Sequence, residues 1–378
     1  MEPRSTIIFW QPIASPHQEA FLEAVAERCA VAHGVEVILG VERDLPPERS
    51  AQGWREASHR HLKVVDISVP ANHAALAAHD TAASLHVFSG FFSHPLVWAG
   101  FRRLAKTPAR LAIFSEAPEQ PWQTGWLKRL RGRVLAARWA RRVAFVLAVG
   151  GMGCEFFSGI GFPKGKIVPF GYFLDVPPLA AAAASRPTDG IVRLVSAGQL
   201  IHRKGIDLLL RACGELPAVG WRLDCYGAGP ERLRLEQLVR SLGLADRVAL
   251  HGVVANDDVR AALTRADCAV LPSRFDGWGM LVNESLAAGT PVICTAECGA
   301  AVLVSTARLG SVVPPDSVAA LSSALADAIA RGPVKPQDRA AINADAAAHT
   351  SATWAAARFE SLLTGAGLPL KSLARVDS

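Results

Sequence analysis

Strand-length apolar runs alternate with helix-length patterns from one end of this chain to the other, and that alternation restricts its fold more than any other feature. Thr6–Trp10, Val35–Leu39, Leu85–Phe88 and Arg110–Phe114 read as strands, with an amphipathic stretch over Gln18–His33 after the first. The pattern restarts at Val192–Ser196, Arg222–Tyr226, Arg247–Leu250, Cys268–Leu271 and Pro291–Cys294, each followed by a turn signal and a helix. Strands joined through helices line up in parallel and are covered on both faces. Two doubly wound α/β units are therefore predicted.

Half of the 378 residues are apolar, enough for two sizeable cores. The sharpest break in composition is Pro177-Pro178, the alanine run Ala180–Ala184 and the segment Ser185–Gly190. It predicts a first domain over 1–176, a linker over 177–189, a second domain over 190–350, and a tail over 351–378 whose helix, with Trp354 and Phe359, returns to the first domain. The longest apolar stretch, Val143–Gly153, is too short to span a bilayer and reads as a buried strand plus loop. The start carries Glu2 and no basic segment leading into an apolar one, so no signal peptide and a cytoplasmic location are expected. Seven cysteines without a C-x-x-C, with Cys294 and Cys298 as the only close pair, predict reduced, buried thiols and no metal site.

The richest segment is Pro272–Thr295. A strand ends at Leu271, a loop with two glycines follows, and a helix from Met280 to Ala288 leads through Gly289-Thr290-Pro291 into the next strand. Two carboxylates flank the helix start: Asp276 in the loop and Glu284 on the helix, with Gly277, Trp278 and the amides of Gly279, Met280 and Leu281 between them. Free N–H groups and the helix dipole favour a phosphate, while carboxylates accept from hydroxyls, so the pattern suits a sugar–diphosphate–ribose ligand. Each acid taken alone is equally readable as a turn residue or a solvated helix residue.

Asp276 and Glu284, eight positions apart, followed by Ala287-Ala288-Gly289-Thr290-Pro291-Val292, resemble the acid-x7-acid signature of the retaining GT-B glycosyltransferases of family 4, in a subgroup of the form DGWG-x3-NE. The family has Glu at the first position, where this chain has Asp. The resemblance implies a GT-B fold, two Rossmann-like domains facing across a cleft, with Asp276 on the donor sugar's hydroxyls and Glu284 on the ribose. A second stretch, Ser196–Leu210, resembles the family's G-R-x4-K-G element. Gly198 and Lys204 match; Gln199 replaces the Arg, and Arg203 beside Lys204 supplies a replacement charge for the leaving diphosphate. Tyr226–Glu231 resembles the family's G-x-G-P-E with Gly227 and Gly229; Arg232 stands where a dinucleotide fingerprint needs glycine, which disfavours a nicotinamide. Arg247–Val253 resembles the segment around the base, with Gly252 and with His251, for which a packed histidine is the favoured reading.

The first half resembles the family in architecture alone. Ser15-Pro16-His17-Gln18 predicts a capped helix start, closed by a capping box, directly after the first strand. The family's T-x-H histidine is absent: the corresponding strand ends in Ser115-Glu116, which makes Glu116 the candidate to accept the acceptor's proton or orient it. Ser15, His17, His86 and Ser115 are the further acceptor-side candidates, although for His86, as for His94, a structural role is the favoured reading.

The net charge of +6 is local: 20 basic against 15 acidic residues lie through Asp175, and 20 against 19 follow. Trp126–Arg142 holds Lys128, Arg129, Arg131, Arg133, Arg138, Arg141 and Arg142 and no acid, interleaved with Trp126, Leu130, Val134 and Trp139. Such a stretch fits an interfacial helix on anionic lipid, with Lys128, Arg129, Arg131 and Arg133 facing the membrane, or a solvated basic face. The expectation from sequence is thus a glycosyltransferase using a UDP- or GDP-sugar, a glycan or lipid-linked acceptor, no cofactor, no metal and no nucleic acid, peripheral on the inner face of a bacterial membrane. A non-catalytic nucleotide-sugar-binding protein and a GT-B nucleotide-sugar 2-epimerase are the alternatives.

Overall fold

A computed structural model describes residues 5–43, 59–118, 126–179 and 189–364. The alanine run, most of the predicted linker, Glu2 and the polar end at Ser378 lie outside the described residues. The chain divides into two compact units, one running to Leu174 and taking back the helix Ala352–Thr364, the other spanning Asp175–Ser351.

The first unit is built on a parallel sheet of β1 (Thr6–Ile13), β2 (Glu36–Arg43), β3 (Lys63–Asp66), β4 (Ser84–Ser89), β5 (Arg110–Ser115), β6 (Val143–Val149) and β7 (Ile167–Phe170), in the order β3-β2-β1-β4-β5-β6-β7. Its central strands are buried on both faces, as crossover helices require. Ile8 and Trp10 join Phe88, Phe101, Ile113 and Phe157 in one core layer. Phe9 turns the other way and meets Phe21, itself against Phe114 and Phe170. Phe359, from the returning helix, completes that layer against Phe9 and Phe21 at 5.7 and 5.9 Å.

The second unit repeats the plan with β8 (Val192–Ala197), β9 (Trp221–Tyr226), β10 (Val248–Gly252), β11 (Cys268–Leu271), β12 (Val292–Thr295) and β13 (Gly310–Val313), in the order β10-β9-β8-β11-β12-β13. Leu194, Leu209, Leu223, Val270, Ile293 and Leu325 fill its core. In both sheets the strand order reverses beside the unit's first strand, where successive connections leave in opposite directions and open a crevice beyond the strand ends. In the second unit that point lies between β8 and β11, the strands that precede the two most informative motifs.

Three local expectations change. After β6 the chain enters a helix, Gly150–Ile160, rather than a loop; Phe156, Phe157 and Ile160 bury its face, and tertiary packing overrides the poor helix propensity of its glycines. The helix Pro16–His33 has proline in its first turn, but Ser15 makes no side-chain cap. The capping box fails because the Gln18 side chain is taken elsewhere: its Oε1 accepts from Gln11 Nε2 at 2.7 Å. All seven cysteines are free, and six are buried.

Candidate active site

Lys204 follows β8 and Asp276 follows β11, 72 positions apart, and neighbouring strands deliver them to one place. Lys204 Nζ lies 2.5 Å from Asp276 Oδ2, and Arg203 Nη1 lies 4.0 Å from Oδ1. The two loops are joined at the backbone as well: the Arg274 amide donates to Arg203 O at 2.8 Å, and Arg203 Nη1 donates to Phe275 O at 2.9 Å. Gly205 permits this contact. Its φ is +65°, and a Cβ there would stand 2.1 Å from Pro272 O.

Asp276 is tied at its main chain: its amide donates to Glu297 O at 2.9 Å and its carbonyl accepts from Gly299 at 3.0 Å. The helix Met280–Ala287 then opens at Gly279 with no side-chain cap; the Val282 amide bonds to Gly279 O at 3.0 Å, and helix geometry leaves those of Met280 and Leu281 without intrahelical partners. Trp278 corrects the sequence reading. Its indole is buried and donates to Asn283 Oδ1 at 2.8 Å, so its side chain anchors the helix rather than facing a ligand. Leu281 is buried too, so this segment offers a ligand its backbone. Glu284 is half-buried, and its carboxyl accepts no hydrogen bond from the described residues. Burial pushes its carboxyl up to about 7, against a smaller pull from Arg260.

The G-x-G segment lies flat on the loop after β8. A Cβ on Gly227 would stand 1.9 Å from Gly198 O, and Leu200 donates to Ala228 O at 2.9 Å. Gly198, Gln199 and Gly229 therefore shape the loop that ends in Lys204. His251, next to Gly252, is exposed; its ring stacks on Tyr226 at 4.7 Å, and Nε2 meets Asp224 Oδ1 at 2.6 Å. It is neither a core histidine nor a neighbour of Lys204 through any contact seen among the described residues.

In the first unit Glu116 stands just past β5, half-buried, and accepts from the Tyr172 hydroxyl. Tyr172 in turn accepts from Gln18, and Gln18 from Gln11. These four residues form a chain of hydrogen bonds running toward the carboxylate. Burial and Glu116 together push the Tyr172 phenol well above its usual range. Sequence reading missed Tyr172, Gln11 and Gln18, since nothing in spacing links positions so far apart. Ser115 turns to its own chain, with Oγ donating to Glu116 O at 2.8 Å. Ser15 and His17 sit at the helix start, both half-buried.

His86 is corrected. It is fully buried, its Nδ1 accepts from Trp10 Nε1 at 3.0 Å, and Nε2 lies 2.7 Å from His79 O. Burial lowers its pKa to about 4, so it is a neutral core residue out of an acceptor's reach.

The basic stretch forms a helix over Trp126–Trp139. Trp126, Leu127, Leu130 and Val134 are 52–69% exposed, an apolar row at helical spacing. Arg129 and Arg133 are exposed on the same helix, and Arg131 lies over the Phe92 ring. Arg142 is a correction: its guanidinium donates to the carbonyls of Ala105, Thr107 and Ala109 at 2.8–3.1 Å, so it is a structural clamp and not a free surface charge. Trp139 packs against the core rather than joining the exposed row. Among the described residues no helix is long and apolar enough to cross a membrane, and no group of three His, Cys, Asp or Glu is arranged to hold a metal.

Residues 184–347 match the family Glycosyl transferases group 1. A putative colanic acid biosynthesis glycosyltransferase, WcaL, of Salmonella typhimurium is 27% identical over 195 residues, 50% of this chain and 48% of that protein. A GDP-mannose-dependent alpha-(1-6)-phosphatidylinositol monomannoside mannosyltransferase of Mycobacterium tuberculosis is 35% identical over 154 residues, 38% of each chain. The chain thus matches about half or less of the length of these curated relatives. Among solved structures, Anabaena HepE in complex with UDP aligns with a TM-score of 0.72 at 15% identity, covering 95% of this chain and 100% of that one. The lipopolysaccharide outer core galactosyltransferase WaaB aligns at 0.69 and 14% identity, covering 96% and 100%. The fold is that of the GT-B glycosyltransferases, two parallel-sheet α/β domains in one chain.

Proposed function

We propose that this chain is a retaining glycosyltransferase that moves a sugar from a nucleoside diphosphate sugar to a glycan or lipid-linked glycan acceptor in envelope or exopolysaccharide biosynthesis. The observation that carries the reading is the meeting of Lys204 and Arg203 with Asp276 at the switch point of the second sheet, beside an uncapped helix start. Cations and free amides there suit a diphosphate, and a carboxylate within reach of the same point suits the hydroxyls of the attached sugar. HepE, solved with UDP and with UDP-glucose, supports a nucleotide donor of that kind.

In this reading the bond between the anomeric carbon and the diphosphate oxygen breaks while the acceptor oxygen bonds to that carbon. Negative charge builds on the departing diphosphate, where Lys204, Arg203 and the amides of Gly279, Met280 and Leu281 stabilise it; no metal or other cofactor is called on. Asp276 orients the sugar, Glu284 accepts from the ribose hydroxyls, and Glu116, held by Tyr172, receives the acceptor's proton. The apolar row and exposed arginines of Trp126–Trp139 support docking to an anionic membrane surface, where a lipid-linked acceptor would be met.

Incubation of the purified protein with a panel of UDP- and GDP-sugars tests the reading. Release of nucleoside diphosphate by the wild type, lost in Lys204→Ala, supports a transferase. Binding without turnover supports a non-catalytic module, and isomerised donor supports an epimerase. Flotation with and without anionic lipid tests the membrane part, and an absence of binding to both kinds of liposome removes it.

A further inference from the structure

Beside the cations assigned to the diphosphate lies a third, Arg274, whose donors are already taken. Its Nη1 donates to His202 O at 2.8 Å and to Asp207 Oδ1 at 2.8 Å, its Nη2 to Asp207 Oδ2 at 3.0 Å, and its Nε to Asp316 Oδ1 at 2.7 Å. Four of its five N–H groups are thereby committed, and two carboxylates offset its charge. A guanidinium in this state has little to give a phosphate.

Three of those four bonds bear on the position of Lys204. His202 begins the tight turn His202–Lys204, and Asp207 lies in the first turn of the helix Ile206–Gly214 that follows it. Arg274 therefore holds the turn from both sides, while its own amide holds Arg203 O. The pair is tight: Asp207 is buried, and Arg274 keeps its carboxyl below the usual range despite the opposing effect of burial. Arg234 Nη2 reaches the same carboxylate from 3.6 Å, so a second cation stands by without bonding to the turn.

We propose that Arg274, with Asp207, is a positioning residue for the diphosphate site: it fixes Lys204 and Arg203 without touching the ligand. This rests on the reading of those two cations as the diphosphate's counter-charges. If Arg274 is removed, Asp207 becomes a buried, under-paired carboxylate next to the turn. It then draws the neighbouring cations toward itself and away from the phosphate.

The test compares nucleoside diphosphate with monophosphate, UDP against UMP and GDP against GMP, by calorimetry. The monophosphate reports the base and ribose contacts, and the ratio of the two affinities reports the cations. In Arg274→Met the preference for diphosphate is expected to fall about tenfold, the size of a lost charge-assisted contact, with monophosphate affinity unchanged. Arg274→Lys, which retains one bond to Asp207 but not the fork, restores part of it. Arg274→Met made in Lys204→Ala/Arg203→Ala adds nothing further, because the effect runs through those two cations. If the methionine variant does not fold, Asp207→Asn puts the same question with the turn's shape retained. A parallel loss of mono- and diphosphate affinity, or an unchanged preference in the folded variant, overturns the proposal. A wild type with no preference for diphosphate instead overturns the reading of Lys204 and Arg203 on which it stands.

Discussion

Asp276 and the diphosphate of the proposed donor compete for one ammonium group. Lys204 Nζ is 2.5 Å from the Asp276 carboxylate, with the two side chains only 17% and 10% exposed. Asp276→Asn removes the rival charge and keeps the shape. Two unit charges about 4 Å apart attract by about 4 kcal/mol at an effective dielectric near 20. Side-chain entropy, remaining solvent and the hydrogen bond that asparagine can still offer reduce the net term to about 1–2 kcal/mol. Nucleoside diphosphate should therefore bind Asp276→Asn about 5- to 30-fold more tightly than wild type, while sugar transfer falls because the donor hydroxyls lose their acceptor. Calorimetric titration of UDP and GDP into the wild type, Asp276→Asn and Asp276→Asn/Lys204→Ala reads this directly. The gain should vanish in the double variant. Diphosphate binding by Asp276→Asn that is equal to or weaker than wild type would refute the idea that the ion pair is what the ligand displaces.

Three further outcomes are expected. Glu284 keeps its proton up to about 7 in the folded chain and releases it near 4.5 when unfolded, so stability falls as pH rises through that window and the loss is complete above it. Glu284→Gln should then raise the melting temperature at pH 8 but not at pH 4, and a nucleotide affinity that climbs through pH 7 in wild type should become flat. Tyr172→Phe should lower turnover about tenfold with nucleotide KM unchanged, since it deletes the hydroxyl bonded to Glu116 and leaves the second unit intact; an altered nucleotide KM would count against that role. Arg142→Ala should cost about 2 kcal/mol in chemical denaturation because three part-buried carbonyls lose their donor, whereas Arg129→Glu/Arg133→Glu should leave stability alone and abolish flotation with anionic liposomes.

Legibility of the fold in sequence followed burial. β1, β5 and β11 are central strands with buried apolar runs and stood out, whereas β3, with Lys63 and Asp66, and β7, with Pro169 in its ladder, are sheet edges where the apolar signal thins. The helix Gly150–Ile160 was hidden by glycines that tertiary contacts tolerate. At the candidate site, Asp276, Glu284 and Lys204 were visible because local spacing carries them. Arg274 and Asp207, 67 positions apart, were not, and neither was the chain from Gln11 to Glu116, since only the sheet order brings such residues together. Trp278 was misread, and His86 kept as a candidate beside its favoured structural reading, for one reason: a polar atom on a large ring near a strand or helix end looks like a ligand contact until its buried partner is seen.

The return of Ala352–Thr364 to the first unit has a consequence for synthesis. Among the described residues the second unit is one unbroken stretch, whereas the first needs Phe359 to cover Phe9 and Phe21 and Glu360 to meet His33 at 2.7 Å. Although its strands leave the ribosome first, the first unit cannot close its core until the last helix emerges. The half that is made second is the one able to finish folding first, reversing the usual order of domains along a nascent chain. A chain stopped short of Ala352 would carry a complete second unit beside a first unit with an open aromatic face.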